Sequence, residues 1–199
     1  MRRGSVVAVL LGGLLAVGTS CTDAGRLPTG ASTEPSAVQL LGPQLQLVDP
    51  VERATPLAED LSWTFEAGPG GATSSNPAVG LTIVVPAGAL SGTTTITVTA
   101  LAGTHVAYRF TPHVVFAANV RLVQALSQTN PIVLTGLVGA HIDGDLSLVN
   151  GLAAVSETVP AFVSLLTGTI SFDVRHFSGW VVASGNGGQS ADSSGSSSQ

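Results

Sequence analysis

Apolar and polar residues alternate with a period of two through most of the chain between Leu81 and Arg175. Leu81, Ile83 and Val85 alternate with Thr82 and Val84 until Pro86-Ala87-Gly88 breaks the run. Ile96, Val98 and Ala100 fall on one face and Thr95, Thr97 and Thr99 on the other. Val106, Tyr108 and Phe110 alternate with Ala107, Arg109 and Thr111, and Ile170, Phe172 and Val174 alternate with Ser171, Asp173 and Arg175. Successive side chains of a strand point to opposite faces, so this period marks strands with one face packed and one in water. Ser91-Gly92, Asn130-Pro131, Asp143-Gly144 and Thr167-Gly168 supply turns between the runs. Short strands at this spacing predict an all-β fold, an antiparallel β-sandwich of a single domain. Leu152 to Leu166 has some helical character, but Pro160 interrupts it, and Val155, Val159 and Val163 suit strands.

The N-terminus has a different pattern. Arg2-Arg3 precedes an uncharged apolar run from Val6 to Val17, then Gly18-Thr19-Ser20 and Cys21. A positive start, a short apolar stretch and a small-residue exit make a secretory signal over 1–20. The run is too short for a spanning helix, which needs roughly twenty residues. Cys21 is the only cysteine and falls at the cleavage point, so we expect it to be lipidated; ordinary cleavage after Ser20 is the alternative. Each acyl methylene buried in a bilayer contributes roughly 0.8 kcal/mol. Pro28, Pro35, Pro43, Pro50 and Pro56 then punctuate a Pro-rich tether over 21–56, in which Val38 to Val48 could add an edge strand. The domain is expected over 57–184, and a Gly/Ser-rich disordered tail over 185–199.

Composition narrows the chemistry. The chain has twelve acidic residues against seven Arg and no Lys, so it lacks the basic stripe that nucleic acid requires. Without lysine there is no Schiff base and no phosphate-loop lysine. One cysteine excludes an intrachain disulfide and a zinc site built on several thiolates.

Three stretches together resemble a known module. Gly80-Leu81-Thr82-Ile83-Val84-Val85-Pro86-Ala87-Gly88-Ala89-Leu90, with the Thr-rich strand from Thr93 to Ala100, resembles the opening of ZU-five domains. Those modules occur in netrin receptors, zonula occludens proteins, ankyrins and many bacterial lipoproteins. Tyr108-Arg109-Phe110-Thr111-Pro112 is similar to the family's aromatic-Pro strand, and His176-Phe177-Ser178 with Gly179-Trp180-Val181-Val182 to its close. Val123 to Asn150 departs from the pattern. The resemblance implies a β-sandwich used for protein contacts, without catalysis in most members. In some relatives the same His-Phe-Ser cuts itself before the Ser, which here would be Ser178 attacking the carbonyl of Phe177 with His176 handling the proton. A strand whose His and Ser satisfy backbone groups is the simpler reading, and the one we favour.

Other candidates are weaker. His105, His113 and His141 are scattered along the chain without metal-ligand spacing and read as surface residues, a metal site being open only if the fold gathers them; no metal, cofactor or small-molecule substrate is expected. Asp143-Gly144-Asp145 reads as a turn, being short of calcium ligands, and Gly68 to Gly71 as a loop. Trp63, Tyr108 and Trp180 could make an aromatic platform for a glycan, although Tyr108 and Trp180 fit the core better. The Thr93 to Thr99 face reads as solvated. The expected protein is a non-catalytic lipoprotein of the bacterial cell envelope, held to a membrane through Cys21 and contacting an unknown protein partner. Self-cleavage at Phe177-Ser178 and glycan binding are the alternatives.

Overall fold

The computed structural model describes residues 45–130 and 134–185. The signal, Cys21, the first part of the tether and all but the first residue of the tail lie outside them. The described chain is built from fifteen strands and one short 3-10 turn, Leu126–Gln128. The first seven strands are β1 (Gln46–Pro50), β2 (Glu52–Leu57), β3 (Leu61–Ala67), β4 (Ala72–Asn76), β5 (Leu81–Val85), β6 (Thr94–Ala100) and β7 (Gly103–His105). The long β8 (Ala107–Ala125) follows, then β9 (Thr129–Asn130), β10 (Leu137–Ile142) and β11 (Leu148–Val149). The last four are β12 (Leu152–Val155), β13 (Glu157–Pro160), β14 (Phe162–Ser164) and β15 (Thr169–Ser184). The stretch from Leu152 to Leu166 is therefore three short strands and the start of a turn, with Val155, Val159 and Val163 all in strand.

All the pairings are antiparallel, and β8 and β15 run side by side along most of their length. Each changes its outer neighbour part-way. Residues Arg121 to Gln124 of β8 pair with β5, whereas Tyr108 to Thr111 pair with β6. Likewise Thr169 to Ser171 of β15 pair with β14, whereas Gly179 to Ser184 pair with β10. Strands that change sheets at bends are how a sandwich turns its corners. The two register shifts in the β8–β15 ladder fall between Val174 and His176 and between Phe177 and Gly179, so the tripeptide occupies the bend.

The alternation is realised in burial. Leu81, Ile83, Ile96, Val98, Tyr108, Phe110, Leu122, Ile170, Phe172 and Val174 all point into one core, with Phe177 and Trp180 among its largest members. One face of the Thr-rich strand differs from expectation. Thr99 is buried because β3 lies beside β6, and its hydroxyl shares a 2.8 Å hydrogen bond with Ser62 Oγ. The tether also ends earlier than expected. β1 and β2 belong to the sheets, so the domain begins near Leu45, and β1 is an internal strand between β12 and β15. Val48 and Val51 supply the buried side chains that hold this segment in place, despite Pro50 between them.

Gly139 on β10 pairs with Val159 and Val182, and any Cβ there would run into the Phe172 ring. Gly139→Ala is expected to lower stability by about 1–3 kcal/mol through overpacking. A urea melt of parent and variant measures the difference; equal midpoints would show that the ring yields freely.

Candidate functional site

Phe177 is fully buried, stacked on Phe110 at 4.3 Å and meeting Phe116 edge-on at 4.7 Å. With Phe177 pointing into the core, His176 and Ser178 are left half-buried beside it. His176 is gripped on both nitrogens. Its Nε2 stands 3.0 Å from Glu157 Oε2, and its Nδ1 stands 3.3 Å from Ser178 Oγ. An ionised carboxylate only accepts, so Nε2–H donates to Glu157 and the Ser178 hydroxyl donates to the free Nδ1 lone pair. Trp180 Nε1–H donates to the His176 carbonyl at 3.1 Å, tying the backbone of the bend to the core.

Two of the three histidines that look scattered in the sequence converge on this point. The reason is register: His141 on β10 lies opposite Trp180 on one side and Glu157 on the other. Its ring meets that of His176 at 4.8 Å, nearly perpendicular. His113, carried on β8 beside the tripeptide, stacks parallel on His176 at 5.7 Å. The surface reading holds for His113, which is exposed though it stacks on His176, and is corrected for His141, which is buried. His105 stays apart, on β7, with Nδ1 3.3 Å from Thr104 Oγ1. It lines a hollow with Asp49, Glu52, Asn130 and Ser184, to which the tripeptide does not contribute.

His141 has one partnered nitrogen and one bare one. Nδ1 is 2.5 Å from Ser156 Oγ, while the buried Nε2 has no hydrogen-bond partner among the described residues and lies 4.0 Å from Asp143 Oδ1. Burial pushes the His141 pKa below its ordinary 6.5, and the neighbouring His176 adds to the effect. Asp143 and Glu157 oppose it.

The arrangement therefore places a hydroxyl, an imidazole and a carboxylate in a row next to the Phe177 carbonyl. Such a row can withdraw the hydroxyl proton as the oxygen attacks. None of the three residues adopts a left-handed φ: Asn150, with φ of 52°, is the one non-glycine residue that does so among the described residues.

The remaining candidates separate. Asp145 pairs with Arg109, which also reaches Asp60 at 3.4 Å, so the Asp143-Gly144-Asp145 segment is a turn. Gly68 and Gly71 close a tight loop through a 2.9 Å backbone bond. Trp180 and Tyr108 are in the core, and Trp63 Nε1–H donates to Ser74 Oγ at 3.2 Å, so the three do not form a surface platform. Cys21 lies outside the described residues.

Sequence reasoning missed Glu157, whose partner is nineteen residues away. It also missed a buried polar network. Tyr108 OH donates to Gln124 Oε1 at 2.6 Å, Gln124 Nε2 donates to the Val79 carbonyl at 2.9 Å, and Arg53 lies over the Tyr108 ring at 5.1 Å. Desolvation raises the Tyr108 pKa although Arg53 counters it. Gln124 continues the inward-facing set of Val120 and Leu122, a periodicity that could have found it.

Compared with known proteins, the chain matches no family model and shows no significant similarity to a curated protein.

The depressed His141 pKa means that folding favours the neutral ring. Its contribution is fully present above about 6.5, the unfolded value, and is lost as pH falls from there toward the lower folded value. Urea midpoints measured from pH 7.5 to 5.5 should therefore decline. His141→Asn should flatten that decline; an unchanged slope would place the titration elsewhere.

Proposed function

We propose that this chain is a non-catalytic envelope lipoprotein, tethered through Cys21, whose β-sandwich docks a protein partner. The observation that carries the docking is the hairpin between β14 and β15. Phe162 is 70% exposed, Leu165 73% and Leu166 97%. No charged residue occurs from Thr158 to Phe172. Large apolar side chains gathered at an exposed tip are anchors for a partner surface. The ZU-five resemblance, with its protein-binding members, supports the same reading.

Exposed Leu→Ser changes alter stability by less than about 0.5 kcal/mol, so Leu165→Ser/Leu166→Ser is expected to fold. A photo-crosslinker at Thr167 should give a discrete adduct in intact envelopes, with its yield at least about tenfold lower in the double variant, a factor corresponding to 1.4 kcal/mol. An undiminished adduct refutes the hairpin as the docking surface.

The Ser178–His176–Glu157 row favours a second reading, self-cleavage. Ser178 Oγ attacks the Phe177 carbonyl carbon while its proton passes to His176 Nδ1, which returns it to the departing amine. The C–N bond breaks and an ester joins Phe177 to Ser178 Oγ. Water then hydrolyses that ester to a Phe177 carboxylate and the free hydroxyl. The event happens once per molecule. Intact mass spectrometry of protein extracted from membranes separates the readings. One species that begins at an acylated Cys21 and is uncut supports the first. Two fragments meeting between Phe177 and Ser178, absent in Ser178→Ala, establish the second.

A further inference from the structure

The outer face of the sheet formed by β11, β12 and β1 is apolar where strand alternation calls for polar residues. Its inner residues, Val48, Ala153 and Val155, are buried as the period requires. The residues between them face outward and should be polar. Instead the outward set is Leu47 opposite Ala154 and Val149 opposite Leu152, with Leu45 next along the chain. Leu45 is 63% exposed, Val149 47% and Leu47 37%. No charged residue occurs from Leu45 to Val48 or from Leu146 to Ser156.

We propose that this face rests on the surface of a zwitterionic lipid bilayer, the same one that holds the acyl chains of Cys21. The inference rests on the lipid anchor proposed above and adds an orientation to it. A contiguous exposed apolar patch marks a surface that meets a partner or a membrane. The route of the chain selects the membrane. Leu45 is where the tether joins the domain, and Cys21 precedes it by twenty-four positions, at most about 85 Å of extended chain. The patch thus surrounds the point from which the anchor departs. Charge selects the kind of lipid. The chain has no Lys, the patch has no Arg, and the exposed Asp49 follows Leu47 on the same face, so anionic headgroups offer no attraction.

The long β15 turns this contact into an orientation. Its last residues, Ala183 and Ser184, pair with Pro50 and Asp49 of β1 beside the patch. Its first, Thr169, leaves the hairpin that carries Leu165 and Leu166. The strand has 16 residues, up to about 50 Å of chain. The two exposed apolar patches therefore occupy opposite ends of one strand. With the β1 face against lipid, the hairpin tip is carried away from the bilayer, where a protein partner reaches it. A weak contact is enough, because a face tethered to its target meets it at high effective concentration.

Photolabelling tests the contact. The protein extracted from membranes is reconstituted in phosphatidylcholine vesicles that carry a diazirine on the acyl chain, and the labelled peptides are mapped by mass spectrometry. Label is expected on the peptides that hold Leu45 and Leu47 and Val149 and Leu152, and not on the one that holds Leu165 and Leu166. Leu47→Thr/Val149→Thr keeps strand-forming residues on the face, so the urea midpoint should hold while the patch label falls at least about tenfold. Label on the peptide that begins at Cys21 reports the anchor separately, and its absence counts against the lipoprotein reading. An unlabelled β1–β12 face overturns the present proposal whatever that peptide shows. So does equal labelling of the hairpin, or a patch yield unchanged in the double variant.

Discussion

The antiparallel ladder between β8 and β15 is the interaction on which the rest of the molecule depends. These two strands are the only ones long enough to serve both halves of the sandwich among the described residues. Five further strands pair directly with one or the other: β5 and β6 with β8, and β10, β14 and β1 with β15. A continuous strand pair cannot change layers without irregularity, because regular pleating keeps neighbouring strands in register. The ladder slips twice between Val174 and Gly179, once just before His176 and once at Ser178. Phe177 then fills the core at the bend, wedged against Phe110 and Phe116, and its neighbours are left with polar side chains to satisfy. The tripeptide is thus an architectural necessity first, and any chemistry is built on that.

How the polar side of the bend is satisfied explains its electrostatics. Three imidazoles share a small volume with two carboxylates, and only Glu157 makes a hydrogen bond to a ring at close range. The carboxylate orients His176, which in turn orients Ser178. His141 is left with a nitrogen that the protein does not serve. The buried Arg53–Tyr108–Gln124 group also leaves one nitrogen, Arg53 Nε, without a partner among the described residues, while its other polar atoms are paired and the charge rests on an aromatic face.

Much of the fold was legible because strand alternation is a local property. Leu81-Ile83-Val85, Val106-Tyr108-Phe110 and Ile170-Phe172-Val174 all turn inward as their period demands. What local pattern could not reveal depends on pairing partners. Thr99 reads as a solvated residue until β3 is laid beside β6, and Val48 reads at most as part of an edge strand until β12 and β15 enclose β1. The candidate site divides in the same way. His176 and Ser178 were visible as a tripeptide, whereas Glu157 and His141 join them only through the β10–β13 and β10–β15 registers. The Leu165-Leu166 tip was passed over because apolar residues in a strand-rich chain are expected to be inside.

The placement of β1 against the end of β15 has a mechanical consequence. Asp49 pairs with Ser184 and Pro50 with Ala183, so the described chain enters and leaves the sheet side by side. Tension applied between those two points would load the hydrogen bonds of this seam one after another, as in a zipper, and would not shear them together. A sandwich sewn in this manner is stiff against most directions of pull but soft along that one. The first strand to peel would be β1, exposing the flank of β15 while the β8–β15 ladder remained closed.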